Sequence, residues 1–553
     1  RSDPALPSDL PRAAEAARRA GSGSEAARYL LWESDVVSTA AERERCELEA
    51  VLLYLEAGQL GTAYALSPRV DAAAASPLRD LVAGLLAAQS GDTERAEHLL
   101  RAAAHGPDPV ASATALVQLG WLYTTQARGA EAVEVLAPVD GLIGTDSPDA
   151  QIAAVLRAIG SSQVRGARHG LSELAARFPP GEALPEAIDA LVVGSRGMLE
   201  LYAGRHHDAA RSLRACIEAA QRGLQTFHLP RVEALLAQSL VALGQWDAAV
   251  LHAHTAVSLV EDEGHALVRA QAHASAAVVH AARGEQHEAV ERGAFAREAA
   301  DRAATVEADM WARLATSAAA RADDDHERVV QVLEPLERGR DDDGLPIFAA
   351  WWLPKLTSAL IEVGRLDDAS ARIELLVRLQ ARRAVDLDAV VSLLRARVAS
   401  RRSRRPSAEA LALFELAVSA VGPDTPVLDQ AEVHWRQGRC LSAVGRRSDA
   451  RLRFQQAEDL LGGLRGGPYL HAVRADLAAT GAEVRPAVDE IGIAVPLTER
   501  ERDVIALVQQ GYTNREVAET LFVSTKAVEY HMGNIFSKLG IRSRRELLRP
   551  PAS

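Results

Sequence analysis

Cysteine is scarce in this 553-residue chain: Cys46, Cys216 and Cys440 lie far apart and form no CxxC pair. That spacing argues against a disulfide framework or a paired-thiolate zinc site. It fits a reducing cytoplasm, with each thiol a small buried apolar group. Lysine is as rare, at Lys355, Lys526 and Lys538, and none follows a glycine, so no GxxxxGK[ST] loop exists to cradle nucleotide phosphates. No cofactor is therefore expected on this chain, and ATP would enter only with a further N-terminal module. GxSxG and HExxH are also absent, and the Asp341–Asp343 run reads as a solvated loop, so an enzyme is not expected. Aromatic residues make up only 4% of the chain, and strand-forming patterns are few. No apolar run approaches the roughly 20 residues of a membrane helix, and the first thirty residues lack a signal-peptide pattern. The chain opens at Arg1 rather than at methionine, as a fragment or a processed form would.

What is abundant is alanine, arginine, leucine and glutamate, arranged in a repeat. A glycine or small residue is followed five positions later by alanine, within apolar helical sequence: AGRHHDAA at Ala203–Ala210, RGEQHEA at Arg283–Ala289, VGRRSDA at Val444–Ala450. Gly204, Gly244, Gly284, Asp324 and Gly364 follow one another at intervals of 40, then Arg405 at 41 and Gly445 at 40. Upstream, Gly21, Gly58, Gly91, Ala127 and Gly170 repeat more loosely, at intervals of 33 to 43. A glycine closes the first helix of a pair, and the alanine lets the second approach closely. The prediction is an all-α chain: a tetratricopeptide-like α-solenoid of about twelve helix pairs over residues 1–481, followed by a linker at 482–496 that loses the repeat.

Solenoids present concave surfaces that bind peptides, proteins or small molecules. Phe348, Trp351 and Trp352, three of the few aromatics, are candidates to line a ligand pocket, with inter-helix core as the bland alternative. The RRSRRPS run at Arg401–Ser407 reads as a solvated turn rather than a phosphate site. His206 with His207, and His252 with His254, do not share a helix face and are not metal pairs.

Net charge is −13, yet from Thr520 onward six basic residues face two acids. A positive tip on an acidic body can bind phosphates. Leu497–Leu548 reads as four short helices, with capping boxes at Thr498/Glu501, Thr513/Glu516 and Ser543/Glu546 and closing glycines at Gly511 and Gly540. Only Phe522, Val523 and Ser524 separate the second and third helices, a helix-turn-helix. Val528, Met532, Ile535 and Leu539 should pack on Val504, Ile505, Val508, Val517, Ala518 and Leu521, leaving Lys526, Glu529, Tyr530 and Gly533 facing outward. A helix with such a face suits the major groove.

LTERE at Leu497–Glu501, GYTNREVAETLFVS at Gly511–Ser524, VEYH at Val528–His531 and KLGIRSR at Lys538–Arg544 closely resemble the LuxR-type helix-turn-helix, over about a tenth of the chain. Ala527 departs from the family's usual threonine. The solenoid and tip together resemble the C-terminal half of the large ATP-binding LuxR regulators. The implied function is a sequence-specific transcription regulator, an activator whose solenoid senses a small-molecule or protein inducer. The partners would be double-stranded DNA, RNA polymerase and a second copy of the chain, with no membrane. Lys526, Glu529, Tyr530 and Gly533 are the candidates for base reading. Asn514, Arg515, Ser524, Thr525, Lys538, Arg542 and Arg544 are those for phosphates and register, and Ser543–Leu548 would carry the dimer contact. The competing expectation is a scaffold whose terminal helices contact protein instead.

Overall fold

The computed structural model describes residues 6–19, 22–179, 186–222, 229–263, 266–338, 348–383, 385–403, 406–464 and 467–481, and within the last segment 501, 504–505, 507–508, 512–521, 528, 531–532 and 535. Every regular element among them is helical, and no described helix is long and apolar enough to cross a membrane. The chain divides into two compact units, residues 1–473 and 474–553. The expected linker, 482–496, lies outside the described residues.

The larger unit is a tetratricopeptide-like solenoid. Twelve helix pairs run from Leu6–Arg19 with Gly23–Val36 to Val427–Ala443 with Arg447–Gly462, and the Gly467–Ala479 helix follows. The turn between partners is written locally. Nine of the positions identified by the repeat have positive φ: Gly58, Gly91, Ala127, Gly204, Gly244, Gly284, Asp324, Gly364 and Gly445. The amide after each turn residue donates to a carbonyl five residues back, as from Gln59 to Tyr54 (2.8 Å), Gln245 to Leu240 (2.8 Å) and Arg446 to Leu441 (2.9 Å). This is the Schellman closure, which satisfies carbonyls that the helix end would otherwise leave bare. Ala127 and Asp324 adopt it without glycine, at φ 58° and 61°. Gly21 and Arg405 lie outside the described residues.

One turn differs from the expectation. Gly170 does not close a helix: it lies inside Ala167–Arg177, and the positive φ belongs to Gly166, at 98°. A Cβ on Gly170 would come within 2.5 Å of the Ala158 carbonyl oxygen, so its smallness serves close helix packing instead. Both residues are glycine for steric reasons, and sequence spacing could not tell a turn glycine from a contact glycine.

The alanine slot is buried at every described repeat but one: Ala175, five residues after the displaced Gly170, is exposed. Ala26, Ala63, Ala96, Ala132, Ala209, Ala249, Ala289, Ala369, Ala410 and Ala450 all have zero exposure, and Val329 has 2%. A second pairing, not identified from the sequence, locks four of the pairs further. Gly84, Gly120, Gly197 and Gly438 each sit seven residues before their turn, and a Cβ there would come within 2.6–2.9 Å of Leu100, Leu136, Leu213 and Phe454 respectively. Those four large residues are themselves buried. Small against large across the pair fills the interface at interior density.

First helices pack on successive first helices as well as on their own partners, and so form an inner layer. The path also returns on itself. The His207 amide donates to the Asp424 carboxylate, 217 positions away (3.0 Å). An ideal Cβ on Gly166 would lie 2.0 Å from the Arg383 carbonyl oxygen, and one on Gly91 would lie 2.6 Å from that of Arg302. These turns therefore need glycine twice, once for φ and once for the backbone pressed against them.

A buried charge network spans the inner layer of the C-terminal repeats. Arg397, 4% exposed, bonds Glu362 (2.8 Å), Glu432 (3.1 Å) and the Ser358 hydroxyl (2.6 Å). Arg436 reaches Glu362 (2.9 Å), and Arg321 reaches Glu432 (2.8 Å). Burial alone would raise the Glu432 pKa, but Arg321, Arg397 and Arg436 hold it at about 2. Arg401 and Arg402, from the basic run, pair with Glu362 and Asp367.

Candidate DNA-contacting unit and a solenoid cavity

The C-terminal unit has its own core. Val504, Val508, Val517, Ala518, Val528, Met532 and Ile535 are buried together, with Ile505, Leu507 and Leu521 packed against them. This is the apolar face that helical spacing assigned to three successive helices; Leu539 lies outside the described residues. The Asn514–Thr520 helix opens on a complete capping box. The Glu516 amide donates to Thr513 Oγ1 (3.3 Å), and the Thr513 amide donates to the Glu516 carboxylate (2.7 Å). Those bonds to Thr513 hold the Glu516 carboxyl below its ordinary pKa. The preceding segment closes with the Tyr512 amide on the Leu507 carbonyl (3.2 Å), five residues back. Cap and closure together fix the angle at which the Asn514 helix leaves the core.

Among the residues read as DNA contacts, Asn514 is half-exposed at the first position of that helix, and Arg515 follows it in the same helix. The Arg515 side chain and Ser524, Thr525, Lys526, Glu529, Tyr530, Gly533, Lys538, Arg542 and Arg544 lie outside the described residues, as do the boxes at Thr498 and Ser543. Residues 495–549 match the family described as bacterial regulatory proteins, luxR family. The C-terminal unit carries a LuxR-family helix-turn-helix. Oxygen regulatory protein NreC of Staphylococcus aureus strains JH9 and JH1 is 48% identical to this chain over 52 residues, which is 9% of this chain and 24% of the relative. The chain thus spans about a quarter of the length of the curated relatives it matches.

For the whole chain, similar solved structures include the Rap protein complexed with competence and sporulation factor, at TM-score 0.49 and 11% identity, covering 66% of this chain and 99% of that one. The Cut9–Hcn1 hetero-tetramer of the APC/C has TM-score 0.48 and 12% identity, covering 86% and 93%. At these scores the solenoid assignment rests on its own turns and packing.

Away from the LuxR-type unit, the inner layer of the solenoid encloses a half-open cavity of about 220 Å³. Its walls come from the first helices of several repeats: Trp121, Ile152 and Ile159, then Ile188 to Tyr202, then Val232 and Leu235. Arg231 and Glu307 close one side and form an ion pair with each other. Burial disfavours the Arg231 charge, yet Glu307 and Tyr202 more than offset it and keep the guanidinium protonated. Glu307 also accepts from Trp311 Nε1 (3.3 Å), and burial pushes the Tyr202 phenol up to about 12.

Of the three aromatics expected to line a pocket, Phe348 alone does so. Trp351 is wedged edge-to-face between Tyr202 (5.4 Å) and Trp311 (5.2 Å), behind the cavity wall, and Trp352 is fully buried core. Trp351 and Trp352 diverge because consecutive helical positions point in different directions, and Phe348 precedes the helix in a left-handed conformation. The residues that do converge come from distant repeats; Arg231 and Glu307, for one, are 76 positions apart. Only the shared period hints at that, since each lies on the first helix of its repeat.

Cys46, Cys216 and Cys440 are buried free thiols. Cys216 donates to the Ala190 carbonyl (3.3 Å) at the cavity wall, and burial pushes its thiol up to about 11. His207 and His254 are exposed and His252 is partly so, and each has a specific partner: His207 with Asp424, His252 with Glu233, and His254 with His280.

Proposed function

We propose that the chain is a sequence-specific DNA-binding transcription regulator, an activator and not an enzyme, whose solenoid senses an inducer and whose C-terminal unit binds promoter DNA as a dimer. The observation that carries the reading is the LuxR-family match over residues 495–549, joined to a buried core that includes Val528, Met532 and Ile535; helical spacing sets Lys526, Glu529, Tyr530 and Gly533 on the other side from those three. A helix so mounted enters the major groove, where each base pair presents a distinct donor and acceptor pattern. Lys526, Glu529, Tyr530 and Gly533 are assigned to base edges. Asn514, Arg515, Ser524, Thr525, Lys538, Arg542 and Arg544 are assigned to phosphates and register. Dimer contact through Ser543–Leu548 would place half-sites about one helical turn apart. The reading places the protein in the cytoplasm on the nucleoid, with RNA polymerase as the downstream partner.

The test is selection of random duplex DNA by the purified full chain, followed by sequencing. A paired, inverted motif is expected, and Glu529→Ala should alter the bases enriched within it. No enrichment over bulk DNA would overturn the reading and leave the scaffold alternative.

A further inference from the structure

We infer that the cavity between the repeats at Trp121 and Phe348 is the inducer site, and that its ligand is a small, uncharged, mainly apolar molecule of up to three rings with one hydrogen-bonding group. This deepens the sensing half of the function proposed above and rests on it. Three observations carry the inference. At about 220 Å³ the cavity is far larger than a packing defect, yet below the roughly 300–1,000 Å³ of sites for drug-sized ligands. Its lining is dominated by Trp121, Ile152, Ile188, Met198, Leu235 and Phe348, so the energy of occupancy comes from apolar area removed from water.

The third observation is electrostatic and decides the charge of the ligand. Among the described lining residues the charged side chains are Arg231 and Glu307, and each already has the other as its partner. A charged ligand would lose its hydration against apolar walls with no free counter-charge to receive it. A neutral ligand meets no such penalty. Its polar group has a place at Ser195 Oγ, which lines the cavity and makes no hydrogen bond among the described residues. The neighbouring Thr124 and Thr125 hydroxyls are already spent on the Trp121 and Leu122 carbonyls (2.9 and 2.8 Å).

The position of the cavity also suits a sensor. Its walls belong to repeats separated along the chain, and the Arg231–Glu307 pair joins a helix at Leu229–Ala242 to one at Val306–Ala322. An occupant therefore touches both sides of an inter-repeat contact, which a ligand on the outer helices would not.

The experiment uses the full chain and two probes of one skeleton, N-phenyl-1-naphthylamine, which is neutral, and 1-anilinonaphthalene-8-sulfonate, which carries a sulfonate. Saturable one-to-one fluorescence enhancement is expected, with the neutral probe bound at least tenfold more tightly. Equal or tighter binding of the sulfonate would overturn the assignment of an uncharged ligand. Ser195→Leu and Leu235→Trp fill the cavity from two different helices, and each should weaken the neutral probe at least tenfold. Circular dichroism melting identifies any variant that has not folded, and affinities are compared among the folded ones. Ile152→Ala, which enlarges the space, should bind the probe at least as tightly as the parent and so checks the result independently. Unchanged probe affinity in a folded filling variant, or a tenfold loss in Ile152→Ala, would remove the cavity as the site. Duplex-DNA binding by the same preparations separates the two readings. Failure of the parent chain to bind the neutral probe while it binds DNA sinks the ligand site alone, and absent DNA binding by a parent chain that binds the probe sinks the regulator reading alone.

Discussion

The solenoid and the C-terminal unit are both helical, yet they bury their cores by different means. The C-terminal unit gathers seven buried side chains from fewer than forty consecutive residues, around one complete capping box. The solenoid repeats a helix pair twelve times, nine of them closed by the same left-handed turn among the described residues, then adds contacts between parts of the chain as distant as His207 and Asp424. In the first, local sequence specifies nearly everything that is buried. In the second, it specifies the unit, and the stacking of units creates features that no single repeat contains, the cavity and the charge network among them. Stability in such an array is a sum of repeat and neighbour terms, so damage to one repeat acts mainly on its own neighbourhood.

The largest expected effect lies in the network. Arg397→Ala removes the more deeply buried of the two arginines that pair with both Glu362 and Glu432, the other being Arg436, and should cost about 4 kcal/mol, because it leaves buried carboxylates under-compensated. Urea unfolding would report it, and a loss below about 1 kcal/mol would show that Arg436 and Arg321 suffice. The same network sets an acid limit. Glu432 is held at about 2, against an ordinary 4.5, so its stabilisation is complete above pH 4.5 and is lost as pH falls toward 2. The urea midpoint should drop across that window and drop less in Glu432→Gln; parallel pH profiles would remove Glu432 as the cause.

Next comes Gly166→Ala, expected to cost about 3 kcal/mol, since it combines a strained positive φ with a clash against the Arg383 backbone. Gly364→Ala, where φ is also positive but nothing lies within 4 Å, should cost only about 1 kcal/mol. Equal losses at the two sites would mean that the return of the path upon itself contributes nothing. In the C-terminal unit, Thr513→Ala should cost about 1 kcal/mol by removing the cap. It should lower DNA affinity without lowering the solenoid melting temperature. The smallest effect is Lys538→Ala, expected to reduce the slope of log affinity against log salt by about one and to leave sequence preference unchanged. An identical slope would remove Lys538 from the phosphate set.

The amino-acid sequence by itself determined the helical class, the twelve pairs, the buried alanines and the face of the LuxR-type unit that packs inward. It could do so because each depends on residues within one or two turns of each other. A left-handed closing residue, an alanine five positions on, or a threonine three before a glutamate writes its geometry into the backbone nearby. Gly166 against Gly170 marks the limit, since both positions require glycine and only the packed structure separates the turn from the contact. Phe348, Trp351 and Trp352 mark it again: close together in sequence, they end at a cavity rim, between two aromatic rings and in a sealed core. The tertiary structure alone decided that Arg231 meets Glu307 and that Arg397 serves two carboxylates. Those meetings depend on the small rotation from each repeat to the next, which accumulates over many side-chain contacts and is carried by no single residue.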